Sequence, residues 1–417
     1  MADNNNQVII IGAGLAGLAA AHELDKKGIS ATVLEARQRV GGRVWSVQLS
    51  NGAWAELGGE WIHGDDMAMN QLATELDMEL ISAQVDFNQR QGVGPLGASV
   101  PEQSEMLKIA GRAVAAMDED SIAKATLGDF IDSLSASAAQ KATLKARFQG
   151  TFATDVSQVA LRPVAGGFPT TDPQPAFYYR CVGGNQRLGE TLANRLPDVR
   201  LGHVVKAVSY NEQGVTIRCE VSGESREITG TAVIVTVPFT VLSKIDFQPA
   251  LPTALTTTLQ GRLIGVAAKI AVATTSAPPI RGIQDVEVPY WFWSGIGENH
   301  QPRLAITAFA GSAQALDTLG TSSGDPGPWL ARLRELNPDL TFTGEVHMLD
   351  WSTDPYACGS YSAFDNTSFD RTDILTKPVG RLVMAGEHTA GGYSGTMEGA
   401  VQSGTRAAEQ VQSMLAK

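Results

Sequence analysis

Four consecutive apolar residues, Val8 to Ile11, run into Gly12-Ala13-Gly14-Leu15-Ala16-Gly17, and a stretch of helical character follows from Leu18 to Lys27. Gly28 predicts the stop, and a second apolar run, Ala31 to Leu34, ends on Glu35. Strand, tight turn, helix and strand, with a carboxylate about twenty residues past the glycines, is the layout of a dinucleotide-binding unit. Gly12 allows the tight turn, Gly14 lets the backbone approach a pyrophosphate, and Gly17 lets the helix lie close on the strand. The helix N-terminus offers free N–H groups and a positive dipole end to phosphates. Glu35 can accept hydrogen bonds from both hydroxyls of an adenosine ribose.

Further along, an apolar stripe from Met69 to Leu80 predicts a helix. From Ile81 to about Pro101 the pattern turns irregular and rich in Gly and Pro, which suggests a departure from the first domain. Two helical stretches follow, Glu102 to Met117 and Leu127 to Phe152, and should form a lid over the substrate side. A helix over Leu188 to Arg195 and a strand over Val199 to Tyr210 come next. Alternation in Gly214 to Cys219 suits a half-buried strand, and Ala232 to Val237 reads as a buried one ended by Pro238. Gly320 to Pro328 reads as a surface loop. The strand Leu382 to Met384 ends in a turn at Gly386 and leads through Gly391 to Ala400 into a long helix.

One position in this pattern stands out. Lys269 is the only charge between Leu263 and Ala273. An ammonium in a buried strand is costly unless it is paired, solvated or neutralised. The lysine therefore lies either at a sheet edge, with its head in water, or in a polar cavity.

Composition adds bounds. A chain of 417 residues can bury a large core and predicts two domains. A hydrophobic content of 43% with 18% charged residues is ordinary for a soluble globular enzyme. No apolar run reaches a membrane span, and the start, MADNNNQV, lacks the basic and apolar parts of a signal peptide. A cytoplasmic location is the expectation. Cys181, Cys219 and Cys358 are far apart and suggest neither a disulfide framework nor a metal site, and the six histidines are scattered. A net charge of −12 argues against nucleic acid as a partner and mildly favours cationic substrates.

The stretch after Glu35, Ala36-Arg37-Gln38-Arg39-Val40-Gly41-Gly42-Arg43, places guanidinium groups and a glycine pair where a long dinucleotide continues past the ribose. With Ala55-Glu56-Leu57-Gly58-Gly59-Glu60-Trp61-Ile62-His63-Gly64, Trp351 to Tyr361 and Leu382 to Ala400, it makes the chain resemble the FAD-containing amine oxidases, the monoamine and polyamine oxidases among them. The resemblance implies an α/β two-domain flavoprotein. A discontinuous Rossmann-like FAD-binding domain would comprise residues 1–80, 182–258 and 354–417. An α+β substrate-binding domain with a mixed sheet and helices would comprise 81–181 and 259–353.

The resemblance also implies roles. FAD would be contacted by Gly12, Ala13, Gly14, Leu15, Ala16, Gly17, Glu35, Ala36, Arg37, Gly42 and Arg43. Leu57, Gly58, Gly59 and Glu60 would form a second flavin loop, and Val205 would pair with the adenine through its backbone. Trp351 and Tyr356 would lie near the isoalloxazine, Gly386 and Glu387 at the ribityl and phosphates, and Gly395, Thr396 and Met397 at the N-terminus of the last helix. That helix end would stabilise negative charge on the reduced ring. Lys269 would hold a water against flavin N5. Tyr361 matches the first wall of the aromatic cage that orients the amine, while Thr396 stands where monoamine oxidases have the second. His63 matches a histidine that faces the substrate channel in animal polyamine oxidases. His388 reads as structural. Ser360 occupies the place of the flavin-linked cysteine of monoamine oxidases, so the FAD is expected to be non-covalent, and no metal is implied.

The implied reaction takes a hydride equivalent from the α-carbon of a small-molecule amine to FAD. The imine is then hydrolysed to an aldehyde or ketone, and O2 is converted to H2O2. A homodimer is left open. Two rival enzymes remain: an amine dehydrogenase that uses a protein electron acceptor, and an L-amino-acid oxidase. The second needs a carboxylate-binding arginine, for which Arg90 is the candidate, although an arginine in Asp86-Phe87-Asn88-Gln89-Arg90 reads first as a solvated charge. A non-catalytic flavin-binding protein is a third reading, opposed by Lys269 and Tyr361. Histone demethylation is disfavoured for want of a long helical insertion. The resemblance is poor over 81–180 and 277–349, the stretches expected to shape the pocket, and so leaves the amine unspecified.

Overall fold

The computed structural model describes residues 7–288, 290–367 and 369–416. At its centre is a five-stranded parallel sheet in the order Leu382–Met384, Ala232–Val235, Val8–Ile11, Ala31–Leu34, Val199–Arg200. Neighbouring residues of a strand point to opposite faces, and here both faces are covered. Val8, Ile10, Ala232 and Ile234 pack with the first helix, Leu15–Asp25, and the last, Met397–Leu415. Ile9, Ile11, Val233 and Val235 pack beneath a four-stranded sheet built from Val204–Tyr210, Val215–Val221, Glu224–Gly230 and Asp246–Gln248. Burial on both sides explains the unbroken apolar runs, as in most parallel sheets.

A six-stranded mixed sheet forms the other half, ordered Phe342–Asp350, Ala267–Thr274, Ala305–Gly311, Tyr290–Ser294, Arg281–Asp285, Gln91–Val93. Its last pair is parallel and the rest antiparallel. Ala268, Ile270, Tyr290 and Phe292 pack on its outer face with the helices Ala313–Thr318 and Gly327–Leu336. Trp291, Trp293, Ala267 and Phe309 sit on the inner face. Lys269 shares their parity and pairs across the ladder with Phe309. Its strand is flanked on both sides, so the edge-strand reading of this lysine is wrong.

Four helices, Val100–Ala115, Glu119–Lys124, Leu127–Ser133 and Ala138–Phe152, wrap a separate apolar cluster beside this sheet. The expected helix from Leu127 to Phe152 is thus two, because Ser137 and Gln140 form a capping box that starts a new one. The expected strand from Val199 to Tyr210 also divides between two sheets, turning at Gly202 with φ of +68°. The helix expected to reach Leu80 spans Met67–Glu75, and Leu80 begins a short strand. The stretch expected as a loop up to Pro328 already contains the start of the helix Gly327–Leu336.

Candidate active site

A cavity of about 1190 Å³ runs from the first glycine turn to the inner face of the mixed sheet. It exceeds the roughly 300–1,000 Å³ of a pocket for one small ligand, so it has room for a cofactor and a substrate together. At one end, Gly12 has φ of +105°, and a Cβ there would stand 2.7 Å from Thr236 Oγ1. A Cβ on Gly17 would meet the Gly12 carbonyl oxygen at 2.0 Å. Gly17 therefore serves the contact of helix on turn and does not itself line the cavity, and neither does Ala13. The first helix begins at Leu15, so its free amides face the cavity where Gly14, Leu15 and Ala16 line it.

Glu35 accepts the backbone N–H of Ala13 and of Arg37, each at 2.8 Å. It is fixed at the cavity wall with lone pairs to spare. Arg37 is ion-paired with Asp354, and its guanidinium lies 5.1 Å from the centre of the Tyr356 ring. Asp354 was not anticipated, since nothing local in the sequence marks a partner so far along the chain. Arg43 pairs with Glu387 at 2.9 Å and also donates to the Ser360 carbonyl. Burial pushes the Glu387 carboxyl up, but Arg43, His388, Ser362 and the Gly395 N–H together hold it below its ordinary value. By accepting from Ser362 Oγ at 2.5 Å and Gly395 N at 2.7 Å, Glu387 ties three chain segments together.

Ala36, Gly42, Val205, Gly386, Gly395 and Met397 also line the cavity. Gly58 and Gly59 lie against the backbone of Arg43 and the side chain of Met397, where a Cβ would stand 2.1 and 3.0 Å from the nearest atoms. Leu57 is outside the lining, but its carbonyl accepts Trp351 Nε1 at 2.9 Å. His388 is fully buried, and burial lowers it to about 4, so the ring is neutral there.

On the mixed sheet, Lys269 Nζ donates to Glu60 Oε2 at 2.8 Å and to the Gly58 carbonyl at 2.9 Å. The other oxygen of Glu60 accepts Trp293 Nε1 at 3.0 Å, with Arg303 at 3.9 Å. The buried lysine is thus a paired one, and Glu60 is placed as its counter-ion as well as on the cavity wall. Tyr361 donates to the Gly150 carbonyl at 3.1 Å, and burial raises its phenol. The His63 ring stacks on Tyr178 at 4.2 Å, while its backbone N–H donates to Asp66 at 2.7 Å. Thr396 lines the cavity, but its hydroxyl caps the last helix by accepting Gly399 N–H at 2.9 Å.

Tyr178, Trp291, Trp293 and Arg147 are wall residues that the sequence reading missed. Arg90 is a correction: it is 7% exposed and lines the cavity, so it is no solvated surface charge. His63, Asp65 and Asp66 also bring potential ligand atoms within 4.8 Å of one another, a grouping not foreseen from scattered histidines.

The sequence model of the flavin-containing amine oxidoreductases matches residues 15–412. The chain belongs to this family. Among curated relatives, this amine oxidoreductase is 27% identical to lysine-specific histone demethylase 1 homolog 3 of Oryza sativa subsp. japonica, over 98% of the chain and 54% of that protein. It therefore spans about half the length of that relative. It is 26% identical to polyamine oxidase 4 of the same plant, over 97% of the chain and 88% of that protein. A solved putrescine oxidase triple mutant shares the fold with a TM-score of 0.83 at 22% identity, covering 98% and 99% of the two chains. The family's cofactor is a flavin, and the glycine cradle, Glu35 and the two arginine-carboxylate pairs fit FAD in this amine oxidoreductase. No described helix is long and apolar enough to cross a membrane.

Proposed function

We propose that this chain oxidises a small amine at its α-carbon with non-covalently bound FAD. The observation that carries the reading is the placement of Lys269, Tyr361 and Thr396 on one cavity that is continuous with the glycine turn. Gly12, Gly14, Leu15, Ala16, Glu35, Arg37, Arg43, Val205, Glu387 and Gly395 to Met397 would hold the cofactor. Ser360 stands where a covalent link would need a cysteine. When bound, FAD supplies the acceptor for a hydride equivalent from the amine carbon and passes the electrons to O2, which gives H2O2.

The chain's own groups do the rest. Two of the three Nζ protons of Lys269 are engaged by Glu60 and Gly58, which leaves one to hold a water or move a proton at the cavity surface. Tyr361, Trp291, Phe309 and Phe152 line the cavity with apolar surface. Such walls disfavour an ammonium and favour the neutral amine, whose lone pair assists loss of the hydride. Hydrolysis of the imine then releases the carbonyl product. Thr396 leaves the cage with one aromatic wall, so a wider or more polar amine fits better than a flat aromatic one.

The test mixes the yellow holoprotein anaerobically with putrescine, spermidine, phenylethylamine, a cyclic secondary amine and several L-amino acids in turn. Rapid loss of flavin absorbance with one class is expected. A flavin that dithionite reduces and no amine or amino acid does would refute the proposal.

A further inference from the structure

Arg90 and Arg147 meet at one cavity wall from different elements. Arg90 follows the short turn Phe87–Gln89, and Arg147 lies on the helix Ala138–Phe152. Among the described residues neither has a carboxylate within ion-pairing distance. Arg147 Nη2 donates to Asn88 Oδ1 at 2.8 Å, while its Nη1 and the Nε of Arg90 are buried without a partner. The acid that acts on Arg147, Asp86, lies outside ion-pairing distance and accepts the N–H groups of Asn88 and Ala176 at Oδ1, at 2.9 and 3.1 Å. Burial first and Arg147 second lower Arg90 to about 9.

The Arg90 guanidinium carbon lies 3.9 Å from the centre of the Trp291 ring and 4.9 Å from that of Phe87. Such contacts fix the plane of the fork but are weaker than the cost of burying an unpaired charge. A buried Arg90 beside a half-buried Arg147, each with a buried donor that has no partner, is therefore a site waiting for an anion. A guanidinium fork matches the two oxygens of a carboxylate.

We propose that Arg90 and Arg147 form a carboxylate subsite, so that the substrate is an amine that also bears a carboxylate: an amino acid with an apolar side chain. This rests on the amine-oxidation reading above. Arg90 stacks on Trp291 and Phe87, Tyr361 packs against the same aromatic cluster, and its hydroxyl donates to Gly150 on the helix that carries Arg147, so the subsite adjoins the residue expected to flank the amine. Leu107, Phe148 and Phe168 supply apolar lining for the side chain. Of the acids that line the cavity, Glu60 is paired with Lys269, Glu387 with Arg43 and Glu220 with Lys206, Asp66 accepts the His63 N–H, and Glu35 lies at the glycine turn. A second ammonium, as in a diamine, would instead face two guanidinium groups. In the reaction the Cα–H bond breaks, its electron pair goes to the flavin, and the nitrogen lone pair forms C=N. Water then converts the imino acid to a 2-oxo acid and ammonia.

The experiment uses the FAD-loaded protein and two readouts. Matched pairs, L-phenylalanine with phenylethylamine and L-leucine with isopentylamine, are compared by anaerobic flavin bleaching. Phenylacetate, which has a carboxylate and no amine, is titrated by flavin difference spectra and thermal shift. The amino acid of each pair should bleach the flavin more efficiently, by roughly 100-fold in rate over dissociation constant. R90M and R147Q should each weaken phenylacetate binding by a similar factor, and R147K should restore part of it. Without ligand, R90M should melt no lower than the parent, because the ring contacts it removes are weaker than the cost of the buried, unpaired charge. Amines that match or exceed their amino acids overturn the carboxylate subsite and leave amine oxidation standing. If no compound bleaches the flavin, phenylacetate decides: binding lost in both variants upholds the subsite, while absent or variant-independent binding overturns it.

Discussion

Replacing Lys269 by Met keeps most of the stem and removes the ammonium. Glu60 then loses the donor at 2.8 Å, and the Gly58 carbonyl loses the one at 2.9 Å. Breaking a buried ion pair from one side costs about 3–5 kcal/mol. Arg303, 3.9 Å from the other oxygen of Glu60, and Trp293 Nε1, at 3.0 Å, still compensate part of that charge. The lower end, about 3 kcal/mol, is therefore expected. With an unfolding entropy of about 2.1 cal/mol/K per residue, a chain of 417 residues should lose about 3–4 °C in Tm. Flavin fluorescence on heating reads this directly. The flavin should remain bound, because Lys269 stands apart from the glycine turn. Loss of a positioned proton donor costs about 100-fold or more in rate. Anaerobic stopped-flow reduction and oxygen-jump reoxidation should place that loss in at least one half-reaction. Both half-reactions within twofold of the parent would remove Lys269 from the chemistry. An unchanged Tm would show that its ion pair contributes nothing to the fold.

Gly17→Ala should yield protein with little flavin, since the added Cβ would stand 2.0 Å from the Gly12 carbonyl; the 450 nm to 280 nm absorbance ratio after purification reads it. Glu56 is fully buried, and burial raises its carboxyl to about 7 despite bonds from Ser46 and Asn185. A raised carboxyl favours the fold below its unfolded value near 4.5, and that contribution fades as pH rises to about 7. The Tm should therefore fall between pH 5 and pH 7.5 in the parent and less in Glu56→Gln, and equal slopes would refute the assignment. Tyr361→Phe removes the 3.1 Å bond to the Gly150 carbonyl. It should cost about 1 kcal/mol of stability in denaturant unfolding.

What the sequence makes legible here is local or periodic. The turn from Gly12 to Gly17, the carboxylate at Glu35 and the buried strands follow from spacing within some thirty residues, and the five-stranded sheet has the strands they suggest. The isolation of Lys269 in an apolar run left a sheet edge and a polar cavity as its two places, and only the fold, with a strand on either side of it and Trp293 and Phe309 on the same face, decides for the cavity. What escaped depends on distant partners. Arg90 sits among polar neighbours and looks exposed, but Trp291 and Phe87 cover it. Arg147 belongs to a helix with a weak apolar stripe, so its direction was not readable. Asp354 becomes visible only when the fold brings it to Arg37, and Thr396 shows its capping bond only once the last helix has a beginning.

The clasp between Arg43 and Glu387 joins residues 344 positions apart in the chain. At about 5–20 residues per second a ribosome needs roughly 17–70 s to cover that distance. Throughout that interval the nascent glycine turn has neither its clasp nor the strand Leu382–Met384 that completes the sheet. On the proposed cofactor role of the clasp, flavin loading would be a late event in the life of the polypeptide, after Glu387 has been made. If the clasp holds the flavin as proposed, colour in the purified protein would report that translation ran past Glu387.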